Sequence, residues 1–178
     1  IFIRDNKGVL KGIVTAKEKS QNTTIIAKTG FLNKNTLILN NGIIQTKDIN
    51  NKFCFLISGG SQGAQIFDEL IMKVMIDISK NFSIKIIQQT SSENIENLKN
   101  IYESKNIENK IFNFEEKFIN LINMSDLCIT RAGATSLAEI SILNKPFIAI
   151  PLPTATDDHQ MKNAQFYEKL GCCWVLDQ

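Results

Sequence analysis

The pattern of apolar and polar residues changes character near residue 50. Before that point, short alternating runs are interrupted by Asn and Gly. Residues 36–45 place Asn40-Asn41-Gly42 between two apolar runs, which predicts a β-hairpin because Asn and Gly accept the positive φ of a tight turn. Residues 1–50 are therefore predicted to form antiparallel β-structure, with turn glycines at Gly8, Gly30 and Gly42.

From residue 53 onward, buried strands alternate with segments of helical period. Residues 53–57 form a continuous apolar run that ends in Ser58-Gly59-Gly60, which is typical of a strand buried on both faces. Residues 63–80 predict a helix whose apolar face consists of Ile66, Leu70, Val74 and Ile78. The other predicted strands are 83–89, 110–112, 126–130, 146–150 and 173–176, and the other helices are 91–104 (with Ser91 and Ser92 as caps), 116–124, 135–143 and 158–170. Such alternation predicts an α/β fold with a doubly wound, Rossmann-like parallel sheet and a short β-rich N-terminal appendage.

Composition narrows the class of protein. The 178 residues are 43% apolar, which is enough to bury a core for one domain and a short extra piece. A formal net charge of +2, with 20 basic and 18 acidic residues interspersed, gives no electrostatic reason to expect nucleic acid as a partner. No apolar run approaches the roughly 20 residues that span a bilayer, and no signal peptide is visible. The sequence also lacks a start methionine and is therefore expected to be a piece of a longer protein.

The four cysteines argue against zinc and disulfides. None belongs to a Cys-x-x-Cys pair, and the chain has one histidine, so a structural zinc site is not expected. Cys54 and Cys128 lie in apolar runs and are predicted to be small buried hydrophobes. This cysteine usage suits a reducing compartment.

The first candidate site is the segment 58–64, Ser-Gly-Gly-Ser-Gln-Gly-Ala, between a buried strand and a helix. Glycines let the backbone turn sharply, and the amides at a helix N-terminus can then face an anion. The segment has neither the Lys-Ser/Thr of a Walker loop nor the G-x-G-x-x-G spacing of a dinucleotide-binding loop. A phosphate-facing loop and a plain tight turn both remain open.

The second candidate site is the segment 130–139, where another buried strand leads through small residues into a helix. Thr135 or Ser136 could cap this helix, and its free amides could hold phosphate. Glu139 lies about one turn further along, and a carboxylate there can accept two hydrogen bonds from a ribose diol. A solvated helix glutamate is the other possibility.

The third candidate site is the polar segment 151–164, which contains Asp157, Asp158, His159 and Gln160. These side chains could contact sugar hydroxyls, or Asp157 or Asp158 could simply cap a helix. One histidine beside adjacent aspartates makes a poor metal site. All three segments follow strands of one parallel sheet, so they meet at one edge, as a nucleotide site requires.

The three segments together resemble the C-terminal, donor-binding domain of the MurG-type glycosyltransferases, which have the GT-B fold. The resemblance rests on residues 59–64, 131–140 and 157–164, and it covers residues 53–178. Enzymes of that family are inverting transferases of peptidoglycan synthesis. The resemblance thus implies GlcNAc transfer from UDP-GlcNAc to a lipid-linked muramyl-peptide (lipid I to lipid II), at the inner face of the bacterial plasma membrane.

The resemblance also implies a role for individual residues. Glu139 would hold the ribose, Ser61 and the turn 133–136 the diphosphate, His159 and Gln160 the GlcNAc, and the backbone near Phe114 the uracil. The implied substrate-binding set is Ser61, Gln62, Gly63, Phe114, Glu115, Arg131, Gly133, Ala134, Thr135, Ser136, Glu139, His159, Gln160 and Asn163. No metal and no cofactor are implied, because helix N-termini can stabilise the departing diphosphate.

Three features of the family have no counterpart in the sequence: the N-terminal domain with the acceptor groove and the expected general base, the Asn-Pro-x-Arg element, and the closing helices. Because a transition state needs groups from both sides of the cleft, this chain is expected to bind better than it catalyses.

Residues 1–50 resemble instead a β-rich piece of a lipopolysaccharide-export permease, which would make the chain a fusion. A non-catalytic nucleotide-sugar-binding module or decayed gene fragment remains the main alternative function, and a sugar-nucleotide epimerase is a third.

Overall fold

The chain forms two compact units, residues Ile1–Asn51 and Lys52–Gln178. The computed structural model describes the backbone of residues 2–4, 10–18, 21–33, 36–48, 52–59 and 66–178, and side-chain contacts within the last two ranges. That residues 53–178 bind nucleotide without residues 1–50 stays a prediction. Within the described ranges, no helix has the length and apolar character needed to cross a membrane.

The first unit contains a four-stranded antiparallel sheet in the order β1-β2-β3-β4. Its strands are β1 (Phe2–Arg4), β2 (Leu10–Glu18), β3 (Gln21–Asn33) and β4 (Thr36–Asp48). The prediction of antiparallel β-structure is thereby confirmed for the described residues.

The predicted hairpin at Asn40-Asn41-Gly42 is wrong. These residues lie inside β4, where Asn40 pairs with Thr29 and Gly42 with Ala27. Gly30, also predicted as a turn residue, lies inside β3 opposite Leu39, and Gly8 falls outside the described residues. The two long strands pair along their whole length, so the hydrogen bonds of the ladder outweigh the local turn preference of Asn and Gly.

The second unit is a six-stranded, all-parallel sheet in the order β10-β9-β8-β5-β6-β7 with flanking helices. In chain order its elements are β5 (Phe53–Ser58), a π-helical turn (Phe67–Ile71), α1 (Met72–Ser79), β6 (Ile84–Gln89), a 3₁₀ turn (Ser92–Asn94), α2 (Ile95–Ser104), β7 (Glu108–Phe112), α3 (Phe118–Met124), β8 (Leu127–Thr130), α4 (Ala134–Ile142), β9 (Phe147–Ala149), a 3₁₀ turn (Thr156–Asp158), α5 (His159–Lys169) and β10 (Cys173–Val175). The predicted doubly wound parallel sheet is confirmed.

The strand order reverses direction between β5 and β8. The chain builds outward from β5 through β6 to β7, returns to β8 and builds outward again through β9 to β10. The last residues of neighbouring strands are in register, since Ser58 pairs with Thr130 and Thr130 with Ala149. Doubly wound sheets bind ligands beyond the carboxyl ends of the strands at such a reversal.

The core lies on both faces of this sheet. In one core cluster, Cys54, Leu56 and Cys128 of β5 and β8 pack with buried helix residues, which include Leu121, Ile122, Leu137, Ile140 and Ala164. The prediction that Cys54 and Cys128 are small buried hydrophobes is confirmed, and neither forms a disulfide bond within the described ranges. Burial raises the pKa of Cys128 to about 11, so its thiol stays protonated and unreactive near neutral pH.

The first helical segment buries a different face from the predicted one. Leu70 and Val74 are 54% and 42% exposed, whereas Phe67 and Met75 are buried. The reason is the π-helical turn, in which the N–H of Met72 bonds to the carbonyl of Phe67. The wider turn holds one residue more than an α-helical turn, so the residues that follow rotate around the axis relative to the predicted pattern.

A buried polar network ties this segment to β6 and α2. The Asp68 carboxylate accepts hydrogen bonds from Gln88 Nε2 (2.9 Å), Thr90 Oγ1 (2.6 Å) and Asn94 Nδ2 (2.9 Å). The Tyr102 hydroxyl donates to Gln88 Oε1 at 2.6 Å, and burial raises the pKa of Tyr102. Because buried polar groups of this kind are costly unless satisfied, the network fixes where the chain re-enters the fold after the first glycine-rich loop.

The same network explains why the predicted serine cap of the 91–104 helix is wrong. Ser91 precedes the 3₁₀ turn, but its side chain makes no capping hydrogen bond within the described part of the chain. The N-cap of α2 is Asn94, and its amide is used by Asp68 instead.

Candidate functional site

The three candidate loops converge where the strand order reverses. The Arg131 N–H bonds to the Ser58 carbonyl at 3.3 Å, and the Ile150 N–H bonds to the Thr130 carbonyl at 2.8 Å, so the ends of β5, β8 and β9 are adjacent. Ser58 and Gly59 at the start of the first loop are buried. Ser61, Gln62 and Gly63 lie outside the described residues, and their phosphate contacts stay a prediction.

The second loop leads into a helix with a free N-terminus. Gly133 is the N-cap of α4 and has no side chain to cap with, while Thr135 and Ser136 lie inside the first turn. The predicted capping by Thr135 or Ser136 is therefore wrong. The first amide bonded within the helix is that of Leu137, which donates to the Gly133 carbonyl at 3.0 Å. The amides of residues 134–136 thus point out of the helix start, where they favour an anion.

Gly133 leaves space in front of this turn. Its φ of −68° and ψ of 135° are open to any residue, so backbone conformation does not require glycine. A Cβ placed there would meet only Ser136 Oγ, at 3.9 Å, so packing among the described residues does not require glycine either. The glycine therefore leaves open space beside the start of α4 that a methyl group would fill.

Arg131, a buried residue of the second loop, forms hydrogen bonds with the start of the third loop. Its side chain is 7% exposed, and Nη1 donates to the carbonyls of Ile150 (3.1 Å) and Pro151 (3.2 Å). The guanidinium carbon lies 5.0 Å from the centre of the Phe67 ring. Burial lowers the pKa of Arg131. Arg131 was predicted to bind substrate, and the structure shows that it contacts backbone carbonyls and an aromatic ring.

The third loop holds the second loop through two amide side chains. Gln160 Oε1 accepts hydrogen bonds from the N–H groups of Ala132 (3.2 Å) and Leu152 (3.0 Å). Asn163 Nδ2 donates to the Ala132 carbonyl at 3.1 Å. Because two N–H groups face it, this atom of Gln160 must be the oxygen, and the NH2 group is what remains for a ligand. Sequence reasoning found both side chains but missed the peptide groups of Ala132 and Leu152; the i, i+3 spacing of Gln160 and Asn163 was the available signal.

Asp157, Asp158 and His159 are the exposed residues at the end of the third loop, where α5 begins. Asp157 and Asp158 both have left-handed backbone conformations, with φ of 53° and 54°. Asp158 is the N-cap of α5, but in the described part of the chain its side chain makes no capping hydrogen bond. The capping alternative is therefore wrong for Asp158. Two successive left-handed residues are costly, and such conformations persist at functional loops when the surroundings impose them.

Glu139 and Phe114 lie on opposite sides of the convergence. Glu139 is exposed on α4, five residues after Ala134 and so about 7.5 Å along the helix axis. Phe114 is 76% exposed beyond β7, which is three strands from β8 and so about 14 Å away at the usual strand spacing. The structure therefore does not bring Phe114 into contact with the α4 turn.

The Glu115 side chain is already engaged. Its carboxylate accepts a hydrogen bond from Lys110 Nζ at 2.8 Å and one from the Lys117 N–H at 3.4 Å. These bonds, the Lys110 bond above all, lower the pKa of Glu115. The backbone at residues 114–115 is thus the part best placed to face a ligand.

A chain of amides connects the reversal point to the Phe114 segment. Ser58 Oγ donates to Gln89 Oε1 at 2.8 Å, and Gln89 Nε2 donates to the Asn113 carbonyl at 3.1 Å. Asn113 Nδ2 in turn donates to the Thr90 carbonyl at 3.0 Å. Sequence reasoning missed these residues, although the polar ending of an otherwise apolar strand, Gln88-Gln89-Thr90, was a signal.

Amides, hydroxyls and one buried cation lie near the α4 turn, while Glu139, Asp157, Asp158 and His159 are exposed. Within the described ranges, no group of three or more His, Cys, Asp or Glu side chains is arranged to hold a metal ion.

Comparison with known proteins places this geometry among glycosyltransferases. The family described as "Glycosyltransferase family 28 C-terminal domain" matches residues 54–178. A UDP-N-acetylglucosamine–N-acetylmuramyl-(pentapeptide) pyrophosphoryl-undecaprenol N-acetylglucosamine transferase of Pelagibacter ubique is 54% identical over 123 residues, which are 69% of this chain and 35% of the relative. The enzyme of the same name from Rickettsia bellii is 33% identical over 94% of this chain and 50% of its own length.

Solved structures agree with this. The crystal structure of Acinetobacter baumannii MurG superposes with a TM-score of 0.65 at 27% identity, covering 72% of this chain and 37% of that one. The solution structure of ALG13 shares the fold alone, with a TM-score of 0.50 at 21% identity and 80% of that chain covered.

The chain thus spans about a third to a half of the length of these curated relatives. The alignment to the Rickettsia bellii enzyme extends into residues 1–50, and the permease resemblance of that segment stays a prediction.

Proposed function

Because the chain belongs to the glycosyltransferase family 28 C-terminal domain family through residues 54–178, we propose that it binds UDP-GlcNAc and supplies the donor-binding half of a GlcNAc transferase. The reaction would be the transfer of GlcNAc from UDP-GlcNAc to a lipid-linked muramyl-peptide, lipid I to lipid II, in peptidoglycan synthesis.

The observation that carries this proposal is the pair of hydrogen bonds from α5 to the second loop. Gln160 accepts from the backbone N–H of Ala132 and Asn163 donates to its carbonyl, immediately before the free N-terminus of α4. A diphosphate bound by the amides of residues 134–136 would therefore have its sugar beside the NH2 group of Gln160. That arrangement suits a nucleoside diphosphate sugar better than a nucleotide alone.

The other ligand groups follow from this placement. A ribose next to the diphosphate would lie along α4 toward Glu139, whose carboxylate can accept two hydroxyl hydrogen bonds. The uracil would extend toward the exposed Phe114, along the edge that Gln89 and Asn113 tie together. Ser61, Gln62 and Gly63 would meet the diphosphate from the opposite loop. His159, exposed where α5 begins, and Asn163 would face the sugar.

The chemistry this chain can contribute is stabilisation of the leaving group. In an inverting transfer, an acceptor hydroxyl attacks the anomeric carbon while UDP departs with increased negative charge. The amides at the start of α4 are fixed dipoles aimed at that charge, and such preorganised donors are among the strongest catalytic effects. The general base and the groove for the lipid-linked acceptor would come from an acceptor domain, at the cytoplasmic face of the membrane.

Calorimetric titration of the 178-residue chain with UDP-GlcNAc, UDP-glucose and UMP tests the donor proposal. UDP-GlcNAc is expected to bind more tightly than UMP, because it adds diphosphate and sugar contacts. Equal affinity for UMP and UDP-GlcNAc would contradict the sugar and diphosphate assignments.

Adding a separately expressed acceptor domain of a relative, with a lipid-linked muramyl-peptide, tests turnover. GlcNAc transfer that requires both chains would support the enzyme half. Tight donor binding without transfer would instead favour the non-catalytic binding module.

A further inference from the structure

Arg131 is a buried cation next to the proposed diphosphate site. It lies two residues before the N-cap Gly133, and its guanidinium is flanked by Phe67, the first residue of the helical segment that follows the other loop. The side chain is 7% exposed, so water solvates little of its charge. The cation therefore lies between Phe67 on one side and the carbonyls of Ile150 and Pro151 on the other, just before the α4 turn.

No negative charge compensates this cation among the described residues. Nη1 bonds to two neutral carbonyls, and Nε has no hydrogen-bond partner within the described ranges. No carboxylate of residues 52–59 or 66–178 forms an ion pair with Arg131. Residues 60–65 contain no acidic residue by sequence.

Burying an unpaired charge is unfavourable, and the carbonyls and the aromatic ring offset that cost only in part. An anion that enters the neighbouring cleft would interact with the cation through a poorly screening interior, where attraction is stronger than at the surface. A binding site that already contains the counter-charge of its ligand gains affinity for that ligand in particular.

We propose that Arg131 is the internal counter-charge for the diphosphate of the nucleotide sugar, acting through the field at the α4 turn rather than by direct contact. Naming the anion as a diphosphate rests on the proposed function. Arg131 is then a positioning residue, and what it contributes is selectivity for the charged part of the ligand over the nucleoside.

A purely structural role makes a different prediction. If Arg131 only tethers the third loop through Ile150 and Pro151, its loss would disturb the sugar-facing Gln160 and lower the affinity for UDP-GlcNAc relative to UDP. The affinity for UDP relative to uridine would then stay unchanged.

The test uses the full chain with Arg131→Gln, which removes the charge but keeps hydrogen-bond donors, and Arg131→Lys, which keeps the charge. Dissociation constants for UDP and uridine are measured by calorimetry at low and high salt. We expect Arg131→Gln to weaken UDP binding at least tenfold while uridine binding changes less than threefold. Arg131→Lys should bind UDP within threefold of the wild type. An unchanged UDP-to-uridine ratio in Arg131→Gln overturns the inference.

Inorganic pyrophosphate separates this inference from the proposed function. It should raise the thermal midpoint of the wild-type and Arg131→Lys chains, less so with added salt, and not that of Arg131→Gln. If the wild type binds neither UDP nor uridine but shows this response, the proposed function fails and the counter-charge stands. If Arg131→Gln does not fold, Arg131→Met replaces it. If neither folds, absence of any pyrophosphate effect on the wild type overturns the inference, and a salt-sensitive effect supports it.

Discussion

Gly133→Ala should separate ligand binding from stability, because the glycine is required by neither conformation nor packing. At φ −68° and ψ 135°, alanine is unstrained, and its methyl group would find its nearest described neighbour at 3.9 Å. Alanine restricts the unfolded chain, which stabilises by about 0.4–1 kcal/mol. Alanine is also a poorer N-cap than glycine, which costs a similar amount, on the order of 0.5–1 kcal/mol. The two effects nearly cancel, so the thermal midpoint should move by no more than about 3 °C.

The same methyl group should obstruct the ligand. If the diphosphate reaches the amides of residues 134–136, a methyl at position 133 displaces it from hydrogen bonds worth roughly 1.5–3 kcal/mol each when charge-assisted. We therefore expect Gly133→Ala to weaken UDP binding at least tenfold in calorimetry, with a native circular dichroism spectrum.

Gly171→Ala is the control, because it is expected to change stability and not UDP binding. Gly171 follows α5 with a φ of 79°, where alanine is strained by about 1–2 kcal/mol. This variant should lose thermal stability by several degrees and keep its affinity for UDP. The reasoning about the α4 turn is refuted if Gly133→Ala binds UDP as well as the wild type does. Loss of UDP affinity in both variants would mean that binding simply follows stability.

Four further predictions concern the rest of the ligand and the first unit. Glu139→Ala should weaken UDP binding at least tenfold without a change in circular dichroism; unchanged affinity would remove Glu139 from the site. Gln89→Ala should weaken uridine binding at least threefold, because the Asn113 carbonyl loses its donor, and leave the pyrophosphate effect on the thermal midpoint intact; the reverse pattern would contradict the link to the base. Titrations of UDP-GlcNAc in EDTA and in magnesium should give the same dissociation constant, since helix N-termini are proposed to hold the diphosphate; a magnesium requirement would show that a metal does so. Deletion of residues 1–51 should leave UDP binding intact, and limited proteolysis should cut near residues 50–52; a truncated chain that does not fold or does not bind would make the first unit part of the domain.

The fold could be predicted from the sequence where burial alone determines it. The apolar strands of the second unit are buried on both faces, so their pattern is continuous and their order with the helices defines the parallel sheet. The predictions failed where distant partners override local preference. Pairing with β3 keeps Asn40-Asn41-Gly42 extended, and the π-helical turn at Phe67 changes which helix face is buried.

The candidate site shows the same limit: its residue types could be predicted, but contacts with distant parts of the chain could not. The family was predictable, and the family match confirms it for residues 54–178, whereas the ligand contacts of the three loops stay predictions. Capping by Thr135 or Ser136 was not a correct prediction, because Gly133 takes the N-cap position. Local sequence cannot show that Gln160 and Asn163 reach across to a peptide group some 30 residues earlier in the chain.

These contacts suggest why amide side chains, rather than charged ones, connect the loops of the site. Gln160, Asn163 and Gln89 each hold backbone groups of another loop, and amides can do so because they donate and accept at once. A carboxylate at position 160 could still accept from Ala132 and Leu152, but it would bring negative charge next to the proposed diphosphate and could offer the sugar no hydrogen. Glutamine satisfies the two backbone donors, keeps the turn neutral and retains an NH2 group for the ligand. The positive potential at the α4 turn itself then comes from the α4 N-terminus and from Arg131, both of which are fixed before any ligand arrives.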